Sequence, residues 1–200
     1  ILGGTFTQAG GVNAANIAQF TSLGGYSAMG SGTDGPVNTA QQFGSRAIIG
    51  GSFSLAGGLT ANGIAQWNGS WSTMGTGLTA EGGSRTADTM ALYNGELLVG
   101  GHFAGANGVA SPEIIRWNGT SFAAVPGATL SGTVRALAVF NNQLIAAGDF
   151  TSTAGPALDR VAAWDGTNWT PMNAGLPSGV VLSGTALAIH NGELYLGGQS

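Results

Sequence analysis

Val99-Gly100-Gly101-His102-Phe103 recurs upstream as Ile49-Gly50-Gly51-Ser52-Phe53 and Leu2-Gly3-Gly4-Thr5-Phe6, and downstream in the degenerate form Ala147-Gly148-Asp149-Phe150. The phenylalanines step by 47, 50 and 47 residues. A period in that range marks a modular repeat whose units bury their apolar faces only by stacking on one another.

Outward from each copy the pattern continues. Asn141-Asn142 lies between Ala136-Leu137-Ala138-Val139-Phe140 and Leu144-Ile145-Ala146-Ala147-Gly148. Asn94-Gly95 and Asn191-Gly192 stand before Glu96-Leu97-Leu98-Val99 and Glu193-Leu194-Tyr195-Leu196. Short apolar runs around Asn-Asn or Asn-Gly predict hairpins, because type I′ turns need positive φ at both central residues and these residues tolerate it. Glycine-rich loops such as Leu55-Ala56-Gly57-Gly58 and Gly105-Ala106-Asn107-Gly108 follow and read as linkers. A third strand recurs as Ile17-Ala18-Gln19-Phe20, Ile64-Ala65-Gln66-Trp67, Ile114-Ile115-Arg116-Trp117 and Val161-Ala162-Ala163-Trp164. A tight turn then leads to a fourth strand around Tyr26, Trp71, Phe122 or Trp169. No stretch carries a helical period.

Four short antiparallel strands per unit predict an all-β chain. The expected architecture is a β-propeller of about four four-stranded blades of 47–50 residues in a single domain, 1–200, with a split terminal blade. Counted from second strand to second strand, the repeats run 1–47, 48–97, 98–144 and 145–200. The first strand of each would line a central channel and the fourth would lie at the rim. The double glycine after the second strand, the Trp-Asn/Asp-Gly after the third and the aromatic in the fourth resemble kelch-type blades. The wording Val-Gly-Gly-x-Phe…Ile-Ala-x-Trp-Asn-Gly…Trp…Met-Gly is similar to repeats of secreted bacterial proteins and of the fungal cell-polarity family Rax2. The resemblance covers the whole chain and implies a propeller; it implies no activity, since such blades scaffold unrelated functions. Galactose-oxidase-like copper chemistry, which some kelch proteins carry, needs a Cys–Tyr cross-link and histidine ligands, and this chain has no cysteine.

Composition narrows the function classes. Charged residues make up 7% of the 200, against roughly 25% in an ordinary soluble protein. The only side-chain cations besides histidine are Arg46, Arg85, Arg116, Arg135 and Arg160, scattered along a chain of net charge -4. Neither nucleic acid nor an anionic membrane surface is an expected partner. No apolar run is long enough to span a bilayer as a helix. A hydrophobic fraction of 43% argues against disorder despite 37 glycines. Weak charge leaves little repulsion between copies, so self-association is expected.

The chain starts inside a repeat and ends on a hairpin, which reads as a processed product or a segment of something longer. Leu2-Gly3-Gly4 and Leu196-Gly197-Gly198 both claim the second-strand position. A closed four-bladed ring, half of an eight-bladed ring, and completion of a blade in the next subunit all fit; the last makes Ile1, Leu2, Glu193, Leu194, Tyr195 and Leu196 the candidate assembly strands.

Chemistry is sparse. His102 replaces Thr5, Ser52 and Asp149 of the other copies and reads as a solvent-facing loop residue, while His190 aligns with Tyr93 and Phe140. Zinc needs three or four converging ligands, so no metal is expected. Asp34, Glu81, Asp88, Asp149, Asp159 and Asp165 do not recur as a set, and no carboxylate pair for glycoside hydrolysis is identified. Asn68, Asn118 and Asn168 open N-glycosylation sequons. Trp67, Trp117 and Trp164 hold a strict place in the repeat and read as packing between blades. If any ring meets a ligand, Tyr26, Trp71, Phe122 and Trp169 are the choice. The expected function is that of a noncatalytic, secreted or cell-surface structural or adhesive module, self-assembling into oligomers or filaments and needing no cofactor. A lectin-like propeller with a glycan partner is the alternative, and a hydrolase ranks third.

Overall fold

The computed structural model describes residues 1–172 and 183–199, which form strands, turns and no helix. Among them, no helix is long and apolar enough to cross a membrane. The strands fall into a series of antiparallel sheets that repeats the sequence period. Sheet two runs Val37–Phe43, Arg46–Gly51, Ile64–Trp67 and Trp71–Thr73. Sheet three runs Thr86–Tyr93, Glu96–His102, Ile114–Trp117 and Phe122–Ala124. Sheet four runs Val134–Phe140, Gln143–Ala154, Asp159–Trp164 and Trp169–Pro171. Sheet one has Leu2–Gly3, Ile17–Phe20 and Tyr26–Ala28, matching the second to fourth strands of the others; sheet five is the hairpin Ser183–His190 and Glu193–Gln199.

The turns explain why these strands pair. Asn94-Gly95, Asn141-Asn142 and Asn191-Gly192 all have positive φ at both residues, as a type I′ turn requires. In the third-to-fourth turn the glycine alone is left-handed, and the preceding side chain caps the loop: Asn118 Oδ1 accepts from Thr120 N and Ser121 N, Asp165 Oδ1 from Thr167 N and Asn168 N. The loops expected to be plain linkers instead fold into two-residue ribbons, Gln8–Ala9 with Val12–Asn13, Leu55–Ala56 with Leu59–Thr60, and Gly105–Ala106 with Val109–Ala110.

The diglycine serves two close approaches. In each first strand one residue bulges out of register, at Asn38, Asp88, Arg135 and Thr185. The second glycine lies opposite that bulge: a Cβ on Gly51, Gly101 or Gly148 would collide with the carbonyl oxygen of Pro36, Thr86 or Thr133. The first glycine faces the next sheet, where a Cβ on Gly50 would strike Ala87 and Met90, and one on Gly100 would strike Val134.

The second and third strands of the middle sheets are buried on both faces, so alternate side chains feed different cores. Ile49 packs with Ile17 and Val37 between sheets one and two, and Ile48 packs with Val99 and Ile115 between sheets two and three. Leu98 packs with Leu144 and Ala162 between sheets three and four, and Ile145 with Leu187 and Leu196 between four and five. The third-strand aromatics take part in turn: the ring of Trp164 lies 5.6 Å from that of Tyr93 at the end of the preceding sheet's first strand, and Phe43 packs in the same core as Trp117. Side-chain bonds link neighbouring first strands, Asn38 Nδ2 donating to Asp88 Oδ1 and Leu137 N to Thr89 Oγ1.

The split sheet expected from the sequence is not formed among the described residues. Sheet one is completed on one side by its own Leu2–Gly3, which pairs with Ile17–Ala18, and no ladder joins it to the terminal hairpin.

Candidate functional site

Three kinds of candidate were identified from sequence, and the structure treats them differently. Among the described residues, Leu2 pairs with the third strand of sheet one and Glu193–Gln199 with Ser183–His190; Ile1, Leu2, Glu193 and Tyr195 are exposed while Leu194 and Leu196 are half-buried against sheet four. Asn68, Asn118 and Asn168 are all exposed. The fourth-strand aromatics require a correction. Phe122 and Trp169 are buried, because each is directly paired with the tryptophan across the turn, Trp117 or Trp164, and paired residues share a face. Trp71 is half-buried against Trp67, with its indole N–H donating to the Met29 carbonyl at 2.7 Å, and Tyr26 is half-buried against Phe20.

Most acids have structural employment. Asp34 caps the backbone of Ser54 and Leu55, Asp88 accepts from Asn38 and Thr86, and Asp165 caps its own turn. Glu96 pairs with Arg116, Asp149 with Arg135 and Asp159 with Arg160, while Glu193 accepts from the Tyr195 hydroxyl. Arg46 and Arg85 are spent on Gln66, and on Ser54 and Asn62. Two carboxylates remain, Glu81 and Glu113, and they come together with His102.

Glu81 belongs to the connection between sheets two and three, where its backbone exchanges hydrogen bonds with Ser84. His102 ends the second strand of sheet three, and Glu113 directly precedes the third. Glu113 N donates to the Phe103 carbonyl and Gly101 N to that of Glu113, which fixes both ends of the intervening loop. Donor atoms of Glu81, His102 and Glu113 all lie within 4.8 Å of one another. His102 Nδ1 is 3.4 Å from Glu113 Oε1 and 3.1 Å from the carbonyl oxygen of Gly132, in the connection to sheet four. His102 is therefore half-buried and engaged, a correction to its expected solvent-facing place; its side chain is 34% exposed and that of Glu113 is 0% exposed.

Glu113 adopts φ +65°, the left-handed region that Asn16, Gly63 and Arg160 occupy at the same repeat position. Asparagine and glycine enter it readily, whereas for other residues it costs about 1–2 kcal/mol. Both Oε atoms of Glu113 and Oε2 of Glu81 are buried without a hydrogen-bond partner. Such groups are rare in folded proteins, since each costs about 1–3 kcal/mol or more. Burial pushes the Glu113 carboxyl up to about 7, with the adjacent Glu81 adding to the rise and His102 opposing it. His102 is raised as well, first by the Gly132 carbonyl that faces Nδ1 and further by the two carboxylates, against the effect of burial. The set can hold a proton or a cation among two oxygen donors and one nitrogen.

No protein-family model matches this chain, and comparison with curated proteins finds no relative.

The raised Glu113 has a stability consequence. Its folded value of about 7 exceeds the ordinary 4.5, so the folded state holds the proton more tightly than the unfolded chain. That contribution is complete below about pH 4.5 and is lost as pH climbs through 7; His102, also raised, acts with the same sign. In chelator-containing buffer, the urea unfolding free energy will fall by on the order of 3 kcal/mol between about pH 4.5 and 7.5, because each tenfold difference in proton affinity is worth about 1.4 kcal/mol. Glu113→Gln will flatten most of that slope.

His102 and Glu81 were visible in the sequence as isolated residues, and Glu113 was missed. The available signal was positional: Glu113 and His102 both depart from the other copies, and both departures fall in the same unit.

Proposed function

We propose that this chain is a run of β-propeller blades serving as a noncatalytic structural or adhesive module, secreted or at the cell surface, that self-assembles by adding strands of the same repeat pattern to its open edges. The observation that supports this reading is the succession of stacked sheets with adjoining first strands, whose side chains share cores with the next sheet along. Phe20 is 59% exposed at the repeat position where Trp164 is 2% exposed. Leu2 and Tyr195 are exposed on strands that, among the described residues, have one ladder each, and strand addition builds on such edges. A strand of the same repeat extends such a ladder and covers a ring in the place of Phe20. Low charge removes a barrier to such association. A lectin-like role has less support, because two of its four candidate rings are buried.

Sedimentation velocity and negative-stain microscopy of residues 1–200, without ligand, test the proposal. Ordered multimers or filaments are expected, with assembly lost on deleting 193–200. A monodisperse monomer, or assembly that survives the deletion unchanged, would overturn strand addition.

A further inference from the structure

We propose that Glu81, His102 and Glu113 bind one divalent transition-metal ion of the zinc class, which ties the third sheet to the connection leading into it. Two independent features point to a cation. Two carboxylates and an imidazole, drawn from three separated segments, converge within 4.8 Å. Both oxygens of a fully buried carboxylate, and one of its neighbour, lack a hydrogen-bond partner, and each of the five arginines is bonded to another group, with the buried Nε of Arg85 left unpaired.

A proton shared between the two carboxyls is the competing explanation; it joins one oxygen of each and leaves the second Glu113 oxygen with only the His102 ring, at 3.4 Å. A doubly charged ion neutralises both carboxylates and satisfies donors from all three residues. The chemistry selects the ion. Imidazole nitrogen with carboxylate oxygen suits zinc, cobalt or manganese, whereas calcium takes about six to eight oxygen ligands and magnesium keeps an octahedral shell of oxygens and waters. Ligand distances of about 2.0–2.2 Å require the three donors to draw in slightly, which the half-exposed His102 and the turn carrying Glu81 permit. Three side chains leave a fourth position for water or a backbone carbonyl, that of Gly132 being nearest to His102.

The test uses the full chain, stripped with chelator and titrated at neutral pH with zinc chloride by calorimetry and with cobalt by visible absorption. One saturable equivalent is expected, with a higher melting temperature than in chelator, and neither calcium nor magnesium at equal concentration should reproduce it. Glu113→Gln and Glu81→Gln should each weaken zinc binding at least tenfold, and His190→Ala should leave it unchanged. Glu113→Gln removes a buried charge, so this variant will remain folded, which circular dichroism and its melting curve check directly. Absence of saturable binding, unchanged affinity in folded Glu113→Gln, equal binding of calcium, or loss of binding in His190→Ala would each overturn the site.

Discussion

Gly101→Ala will destabilise the fold by about 3 kcal/mol or more, while Gly197→Ala will change it by less than about 0.5 kcal/mol. The backbone of Gly101 is not left-handed, so the penalty does not come from φ. It comes from space: a Cβ there would overlap the carbonyl group of Thr86 and approach the Cα of Ala87, directly beside the bulge at Asp88. Ordinary overpacking costs about 1–3 kcal/mol because side chains give way. Backbone held in a ladder cannot rotate aside, so the strand must lose its bulge or its pairing. Gly197 takes the place of Gly100 in sheet five, where the nearest atom to an added methyl is the Ala186 Cβ at 3.9 Å. Urea unfolding followed by tryptophan fluorescence compares the two. Similar losses in both would mean that these glycines matter for chain flexibility and not for the approach of neighbouring strands.

That contrast shows which parts of the structure were legible in the sequence. The Asn-Gly hairpins were readable because the requirement is local: two consecutive residues must accept positive φ, and the structure has them there. The diglycines were readable as landmarks, yet their cause was not, since Gly100 answers to Val134 in the next sheet and Gly101 to Thr86 across the ladder. The short ribbons in the loops escaped notice because two-residue strands carry no alternation to detect. The burial of Phe122 could have been foreseen: once Trp117 faces the neighbouring sheet, the residue paired with it across the turn must face the same way. The Glu81–His102–Glu113 cluster lies at the other extreme. Each residue sits in a loop or at a strand end of ordinary polarity, and the packing of sheet three against its two connections brings them together.

Trp164→Ala will cost about 3–5 kcal/mol, the range for emptying a buried large aromatic site, and Phe20→Ala at the same repeat position less than about 1 kcal/mol. Trp164 is enclosed by Trp169 of its own sheet, at 6.1 Å between ring centroids, and by Tyr93 of the preceding one at 5.6 Å. Tyr93 is itself fixed, its hydroxyl donating to the Asn142 carbonyl in the hairpin turn of sheet four. The tyrosine therefore clamps both the tryptophan and the turn of the following sheet. One loss is built in, because the Trp164 indole N–H is buried without an acceptor, which offsets part of the gain from the ring's apolar surface. Phe20 packs edge-on against Tyr26, at 5.1 Å between ring centroids, and is largely in solvent. A double-mutant cycle with Tyr93→Leu and Trp164→Ala will give a coupling of about 0.5–1.5 kcal/mol. Additive losses would show instead that each sheet holds its aromatics independently, and stacking between neighbours would no longer account for the stability of a repeat whose isolated units cannot cover their own faces.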